Sequence, residues 1–208
     1  MGEPAPQPDL SLRTTTTLLN ALHDHGNEIA WAQLDHRYRP VIRGLARRLG
    51  VPESGAEEVA QQTLSEFVGA YRAGRYDRTK GRLSSWILGI AHHTALRAIR
   101  HGRRDQQAGT ALLEGLHDES MLRSIWIDER DRAIFSQAMS SLRQDSGMDE
   151  RTMQAFELVS LRGVPAIEAA QQCRMSVDQV YVAKSRVTRK LRDLVSQMTA
   201  AFEDDQAQ

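Results

Sequence analysis

Apolar positions recur along the chain at three- and four-residue intervals, and no stretch alternates with period two for more than a few residues. Clusters of β-branched residues bounded by turn residues are scarce, so the pattern predicts an all-α fold. Thr14 to Thr17 offers N-caps for a first helix through Leu18, Leu19 and Leu22. Ile29, Leu34, Tyr38, Val41, Ile42, Leu45 and Leu49 make the apolar stripe of a second, from about Glu28 to Leu49, which Pro40 should kink or split. Gly50 and Pro52 close that segment. Ser54 is placed to cap a third helix lined by Val59, Thr63, Phe67, Val68 and Tyr71. A basic, turn-rich loop from Ala73 to Arg82 then leads to a fourth helix, about Leu83 to His101, which carries Trp86, Ile87, Ile90, Ala91, Leu96 and Ile99.

The periodicity weakens from Gly102 to about Ile127, where Gly109, Gly115, Gln106 and Gln107 read as a linker holding one short helix at most. Helical pattern resumes with Ile134, Ala138 and Leu142, breaks at Ser146-Gly147, and returns from about Asp149 with Phe156, Val159 and Leu161. After Gly163, Pro165 opens a short helix containing Ile167, Ala170 and Cys173. Arg174-Met175 makes a tight turn, and Ser176 caps a long helix with Val177, Val180, Val187, Leu191 and Leu194. Two helices joined by a short turn, the second of them long, form a helix-turn-helix signature. The expected organisation is a disordered tail (1–13), a helical domain (14–104), a flexible linker (105–127), a second helical domain (128–198) and an acidic tail (199–208).

The chain has 208 residues with 27 Lys plus Arg against 27 Asp plus Glu, so its formal net charge is zero. Taken as an average, that argues against nucleic acid, because phosphate binding scales with the cations engaged. Along the chain the charge is polarised. Nine basic residues lie between Arg72 and Arg104 against one acid, Asp77, interleaved with Tyr76, Trp86 and His92-His93, a distribution that favours a nucleic-acid surface. The last helix adds Lys184, Arg186, Arg189, Lys190 and Arg192 against Asp178. Five arginines between Arg37 and Arg48 leave open a solvated helix face or a further nucleic-acid surface. Acids gather on the third helix (Glu57, Glu58, Glu66), in the linker and its exit (Glu114, Asp118, Glu119, Asp128, Glu129, Asp131) and at the tail (Glu203, Asp204, Asp205).

No apolar run is long enough to span a bilayer, the N-terminus has no signal-like h-region, and a single cysteine, Cys173, excludes an internal disulfide and a Cys-rich zinc site. The cytoplasm is the expected compartment. Adjacent His92 and His93 point about 100° apart on a helix, so neither a metal nor a cofactor is expected. Glu57-Glu58 accompany no nucleophile motif, and the chain is not expected to be an enzyme.

Three motifs carry a resemblance. Ala56-Glu57-Glu58-Val59-Ala60-Gln61-Gln62-Thr63-Leu64 is similar to the A-E-D-x-x-Q-x-x-F helix of bacterial sigma-70 family RNA polymerase sigma factors, in particular the extracytoplasmic-function group. Gly81 through His93 is similar to that family's F-x-x-W-L-x-x-I-A-x-N block. Arg162 through Val187 resembles its second DNA-binding domain, E-G-x-x-x-x-E-I-A-x-x-L-G-x-S-x-x-T-V-K-S-R-x-x-R. The likeness runs from about Thr17 to Leu194 in the family's order.

The resemblance implies a sigma region 2 bundle and a region 4 helix-turn-helix. Core RNA polymerase would be met through its β′ clamp helices by Glu57, Glu58, Gln61, Gln62 and Leu64, and through its β flap. The promoter minus-10 element would be melted and read by Lys80, Arg82, His92, His93, Arg97, Arg100, Arg103 and Arg104. The minus-35 duplex would be met by Gln179, Tyr181, Lys184, Ser185, Arg186 and Arg189, with base edges read by the first turns and phosphates held further along. Regulation is expected from a separate anti-sigma factor or a kinase, without membrane attachment. A stand-alone helix-turn-helix regulator is the alternative; it leaves the basic, Trp-bearing first domain without a task. A DNA-processing enzyme would require a stranded catalytic domain that the pattern lacks.

Overall fold

The computed structural model describes residues 15–24, 26–77, 79–103, 118–144 and 147–203, and among these there are helices and turns with no strand, as the periodicity predicts. The expected N-terminal tail, most of the expected linker and the acidic end at 204–208 lie outside the described residues, as do Arg78 and Ser146. The helices are α1 (Thr15–Ala21), α2 (Glu28–Arg48), α3 (Glu53–Arg72), α4 (Leu83–Arg103), α5 (Glu119–Gln144), α6 (Glu150–Phe156), α7 (Ala166–Cys173) and α8 (Val177–Glu203). A π-helical turn, Glu157–Leu161, extends α6. The chain forms two compact units, one of Met1–Ala133 with Ala200–Gln208 and one of Ile134–Thr199.

In the first unit α3 packs between α2 and α4, and α1 lies on α2. Leu34, Tyr38, Ile42 and Leu45 of α2, Leu64 and Phe67 of α3, and Leu83 and Ile87 of α4 are wholly buried and form the core. Asn27 starts α2 by accepting the amide N–H of Ala30 at 3.0 Å. Pro40 does not split α2, which runs as one helix from Glu28 to Arg48. Pro40 sits on the exposed side, and the flanking buried residues Arg37, Tyr38, Val41 and Ile42 hold both halves on the same core, which outweighs the lost hydrogen bond. Ser54 does not cap α3; Pro52 occupies the cap position, and Ser54 lies within the first turn.

The segment expected as linker up to Ile127 is helical from Glu119 onward. Its Leu122, Ile125 and Trp126 recur on one side and are buried, so this part of α5 has an amphipathic face that turn-counting obscured. Within the first unit Trp126 stacks on Tyr38 with ring centroids 6.4 Å apart, and Phe202 meets the same tyrosine edge-on at 5.4 Å. Arg37 is buried beside them, donates to the Ala201 carbonyl at 3.1 Å, and lies over the Phe202 ring. Burial lowers its pKa. Glu129, also buried, is held by Arg132 at 2.7 Å and Arg48 at 3.6 Å, and its carboxylate occupies the space a Cβ on Gly44 would need.

In the second unit Ala155, Leu158, Ala169, Ala170, Cys173, Val180 and Ala183 form a small core, extended along α8 by the buried Val187 and Leu191. The π turn closes through Arg162 N–H on the Glu157 carbonyl at 3.0 Å, and Gly163, at φ +68°, lets Val164 reach back to Leu158 at 2.9 Å. The turn between α7 and α8 uses Arg174 in the left-handed region, φ 54° and ψ 48°, with Met175 N–H on the Ala170 carbonyl at 2.9 Å. Cys173 is packed between these helices as expected, and burial pushes its thiol pKa up.

Candidate nucleic-acid and partner interfaces

Of the two readings left open for the arginines of α2, the solvated face fits Arg43, Arg47 and Arg48, which stay substantially exposed but are ion-paired. Arg39 pairs with Asp35 and Glu57, Arg43 with Glu53 and Glu57 at 3.1 Å each, and Arg47 with Glu53 at 3.2 Å. The contact with Asp35 is the largest cause of a raised Arg39 pKa, and the hydrogen bond from Arg47 is the largest cause of a lowered Glu53 pKa. Arg48 reaches Asp128 at 3.4 Å, and Arg37 is buried. Apart from the buried Arg37, the run therefore forms a largely solvent-exposed set of ion pairs that links α2 to its neighbouring helices.

On α3, Glu58, Gln61 and Gln62 are exposed, and Glu57 is half-exposed while engaged with Arg39 and Arg43. Leu64 is wholly buried, which corrects its expected place on the partner-facing surface; it shares the inward side of the helix with Ala60 and Phe67.

The loop before α4 is built on Asp77, whose Oδ1 accepts the Thr79 amide at 2.9 Å and the Thr79 hydroxyl at 2.7 Å, with Lys80 3.5 Å from Oδ2. The Thr79 hydroxyl is the largest cause holding this carboxyl below its usual range. Tyr76 stacks on Trp86 at 5.2 Å and 13°, and Trp86 meets Phe67 edge-on at 5.3 Å. The loop is thereby tied to the bundle through rings, and Trp86, read from its neighbours as core, lies partly buried at the margin.

His92 is buried, a correction to its expected DNA contact. At about 100° per residue it joins Ala91, Ala95, Leu96 and Ile99, while His93, Arg97 and Arg100 occupy the outer face. Arg97 is engaged with Glu66 and, at 3.1 Å, with the Thr94 hydroxyl. Arg75, Arg82 and Arg100 are exposed and have no acidic partner among the described residues, and the Lys80 side chain is 83% exposed. Arg103 ends α4, and Arg104 lies outside the described residues.

In the second unit Ser176 Oγ accepts from Gln179 N–H at 3.1 Å while Gln179 Oε1 accepts from Ser176 N–H at 2.8 Å, a reciprocal capping box that begins α8. Tyr181, Lys184, Ser185, Arg186 and Arg189 are exposed as expected, and Lys184, Arg186, Arg189 and Arg192 have no acidic partner among the described residues. Sequence reasoning passed over Val182, which is 65% exposed. Its position opposite the buried Val180 and Val187 was legible from the helical period. Thr152, Met175, Asp178, Gln179, Val182, Ala183 and Arg186 line an open groove of about 250 Å³ beside it.

Among the described residues no group of His, Cys, Asp and Glu could hold a metal ion, and no helix is long and apolar enough to cross a membrane. Residues 34–105 match the family model for Sigma-70 region 2. Over 178 residues the chain is 24% identical to the ECF RNA polymerase sigma factor RpoE of Cereibacter sphaeroides, an alignment covering 83% of this chain and 96% of the relative.

Proposed function

We propose that the chain is a sigma factor of the extracytoplasmic-function group of the sigma-70 family, which binds core RNA polymerase and selects promoters with two separate DNA-facing surfaces; the region 2 match and the likeness to RpoE over most of the chain support this. The observation that carries this reading is the sorting of the cations. The arginines of α2 are buried or paired with acids, whereas Arg75, Arg82 and Arg100 in one unit and Lys184, Arg186, Arg189 and Arg192 in the other are exposed with no acidic partner among the described residues. Arg75, Lys80 and Arg82 lie on a loop held by stacked rings, and His93 and Arg100 follow on the outer face of α4; together they suit a separated minus-10 strand, where a cationic track holds the backbone. The second lies along a capped helix that fits the major groove of a minus-35 duplex. Glu58, Gln61 and Gln62 form the polymerase-facing side of α3, with Glu57 holding that helix to α2. A separate anti-sigma factor or kinase is the proposed regulator.

Reconstitution tests the reading. Core polymerase supplemented with the chain should initiate transcription from a promoter selected out of random duplexes, and the chain alone should bind the same duplex weakly. Tight duplex binding without core and no initiation would identify a stand-alone regulator instead. Glu58→Ala with Gln61→Ala should weaken core association; Lys184→Ala with Arg186→Ala should weaken minus-35 binding and leave core association intact.

A further inference from the structure

The outward face of α8 differs from a purely polar DNA-binding surface. Val180, Ala183 and Val187 are buried, so at about 100° per residue the side directly opposite holds Asp178, Val182, Ser185 and Arg189. Lys184 falls next to the buried side and Arg186 lies at the flank, on the groove shared with Thr152. Gln179 has its side-chain oxygen engaged at the cap, which ties it to the helix start. Val182 is the one aliphatic group among the four residues of that opposite side, 65% exposed, beside Tyr181 at 56%, and near it lie Lys184, Arg186 and Arg189, exposed and with no acidic partner among the described residues.

A valine in a major groove has one base feature to recognise. Adenine, guanine and cytosine edges present polar donors and acceptors there, and thymine adds a C5-methyl group. We propose that Val182 is a specificity-determining residue that packs its isopropyl group on a thymine methyl of the minus-35 duplex, with the flanking cations on phosphates setting the register. This rests on the sigma-factor reading above and goes beyond it by naming the residue and the base feature read. A methyl buried in that contact contributes about 0.8 kcal/mol, a factor of about four in affinity.

The test uses the full chain assembled with core polymerase. Minus-35 duplexes are first selected from a random library, and each thymine of the preferred sequence is then replaced singly by deoxyuridine, which removes only the methyl. One replacement should weaken wild-type binding about fourfold. The Val182→Ala protein, altered at an exposed site, should bind the thymine duplex correspondingly less well and be indifferent to that same replacement. If Val182→Ala keeps the full deoxyuridine penalty at every position, or if no position is methyl-sensitive, the inference falls while the sigma function stands. An assembled enzyme that enriches no minus-35 duplex would overturn the functional reading and the inference together.

Discussion

Glu66→Gln should make promoter binding steeper in salt, because it releases a cation now held in reserve. Arg97 lies on the outer face of α4 with His93 and Arg100, but its guanidinium is engaged with the Glu66 carboxylate. Both side chains are substantially exposed, 49% and 40%, so the pair contributes at most about 1 kcal/mol to stability and its loss should barely move the unfolding midpoint. The effect on DNA is larger in character. One additional cation on a single strand steepens the slope of log affinity against log salt by about 0.7. A fourfold rise in salt, from about 50 to about 200 mM, would then reduce affinity about 2.6-fold more for the variant than for the wild type. The assay is anisotropy of the polymerase-bound protein on a forked promoter with a single-stranded minus-10 segment, titrated with potassium chloride. Removing an acid also lessens repulsion of phosphate, so the same substitution is made in an Arg97→Ala background, where the steepening should vanish. An unchanged slope for Glu66→Gln, or equal steepening without Arg97, would refute the idea that the pair withholds this arginine from DNA.

Three further outcomes are expected. Gly44→Ala should destabilise the first unit by about 1–3 kcal/mol in thermal unfolding of the full chain, since its Cβ would meet the buried Glu129 carboxylate that Arg48 and Arg132 hold; an unchanged midpoint would mean that Glu129 swings aside freely. Arg174→Gly should stabilise the second unit by about 0.5–1 kcal/mol, because a left-handed backbone that is costly for arginine outweighs the added freedom of the unfolded glycine; a lower midpoint would contradict this. For Asp77 the folded pKa is depressed, so its hold on the Thr79 turn is present above the ordinary carboxylate range and lost as pH falls through the folded value. The Thr79 amide resonance should titrate below the usual aspartate midpoint of about 3.9, and Asp77→Asn should abolish that titration.

Which features were legible in the sequence follows from where their information lies. A buried stripe is one-dimensional, so Val59, Thr63, Phe67, Val68 and Tyr71 identified the inner side of α3 directly, and the Ser176 cap and the Pro165 helix start were likewise local. The expected split at Pro40 fails because burial on either side of it overrules a local rule, and the start of α5 is hidden in the expected linker because Leu122, Ile125 and Trp126 have their partners far away in sequence. Leu64 and His92 were misplaced for a related reason: motif position says which helix carries a residue, whereas the helical period says which way it faces.

The charges show the limit most clearly. Arg39, Arg43 and Arg47 recur every fourth residue on α2, Glu53 and Glu57 do the same on α3, and Asp35 on α2 itself supplies the third acid, so three cations meet three acids along the helix pair. Neither ladder is interpretable alone; read by itself, the α2 run is a basic surface. Once these paired groups are set aside, the zero net charge no longer describes the surfaces that would meet DNA. Arg75, Arg82 and Arg100, and Lys184, Arg186, Arg189 and Arg192, are a surplus with no acidic partner among the described residues. It follows that substitutions in the α2 ladder should have little effect on the salt slope of DNA binding and, the pairs being largely exposed, should cost at most about 1 kcal/mol each in unfolding, while substitutions among the unpaired cations should flatten the salt slope.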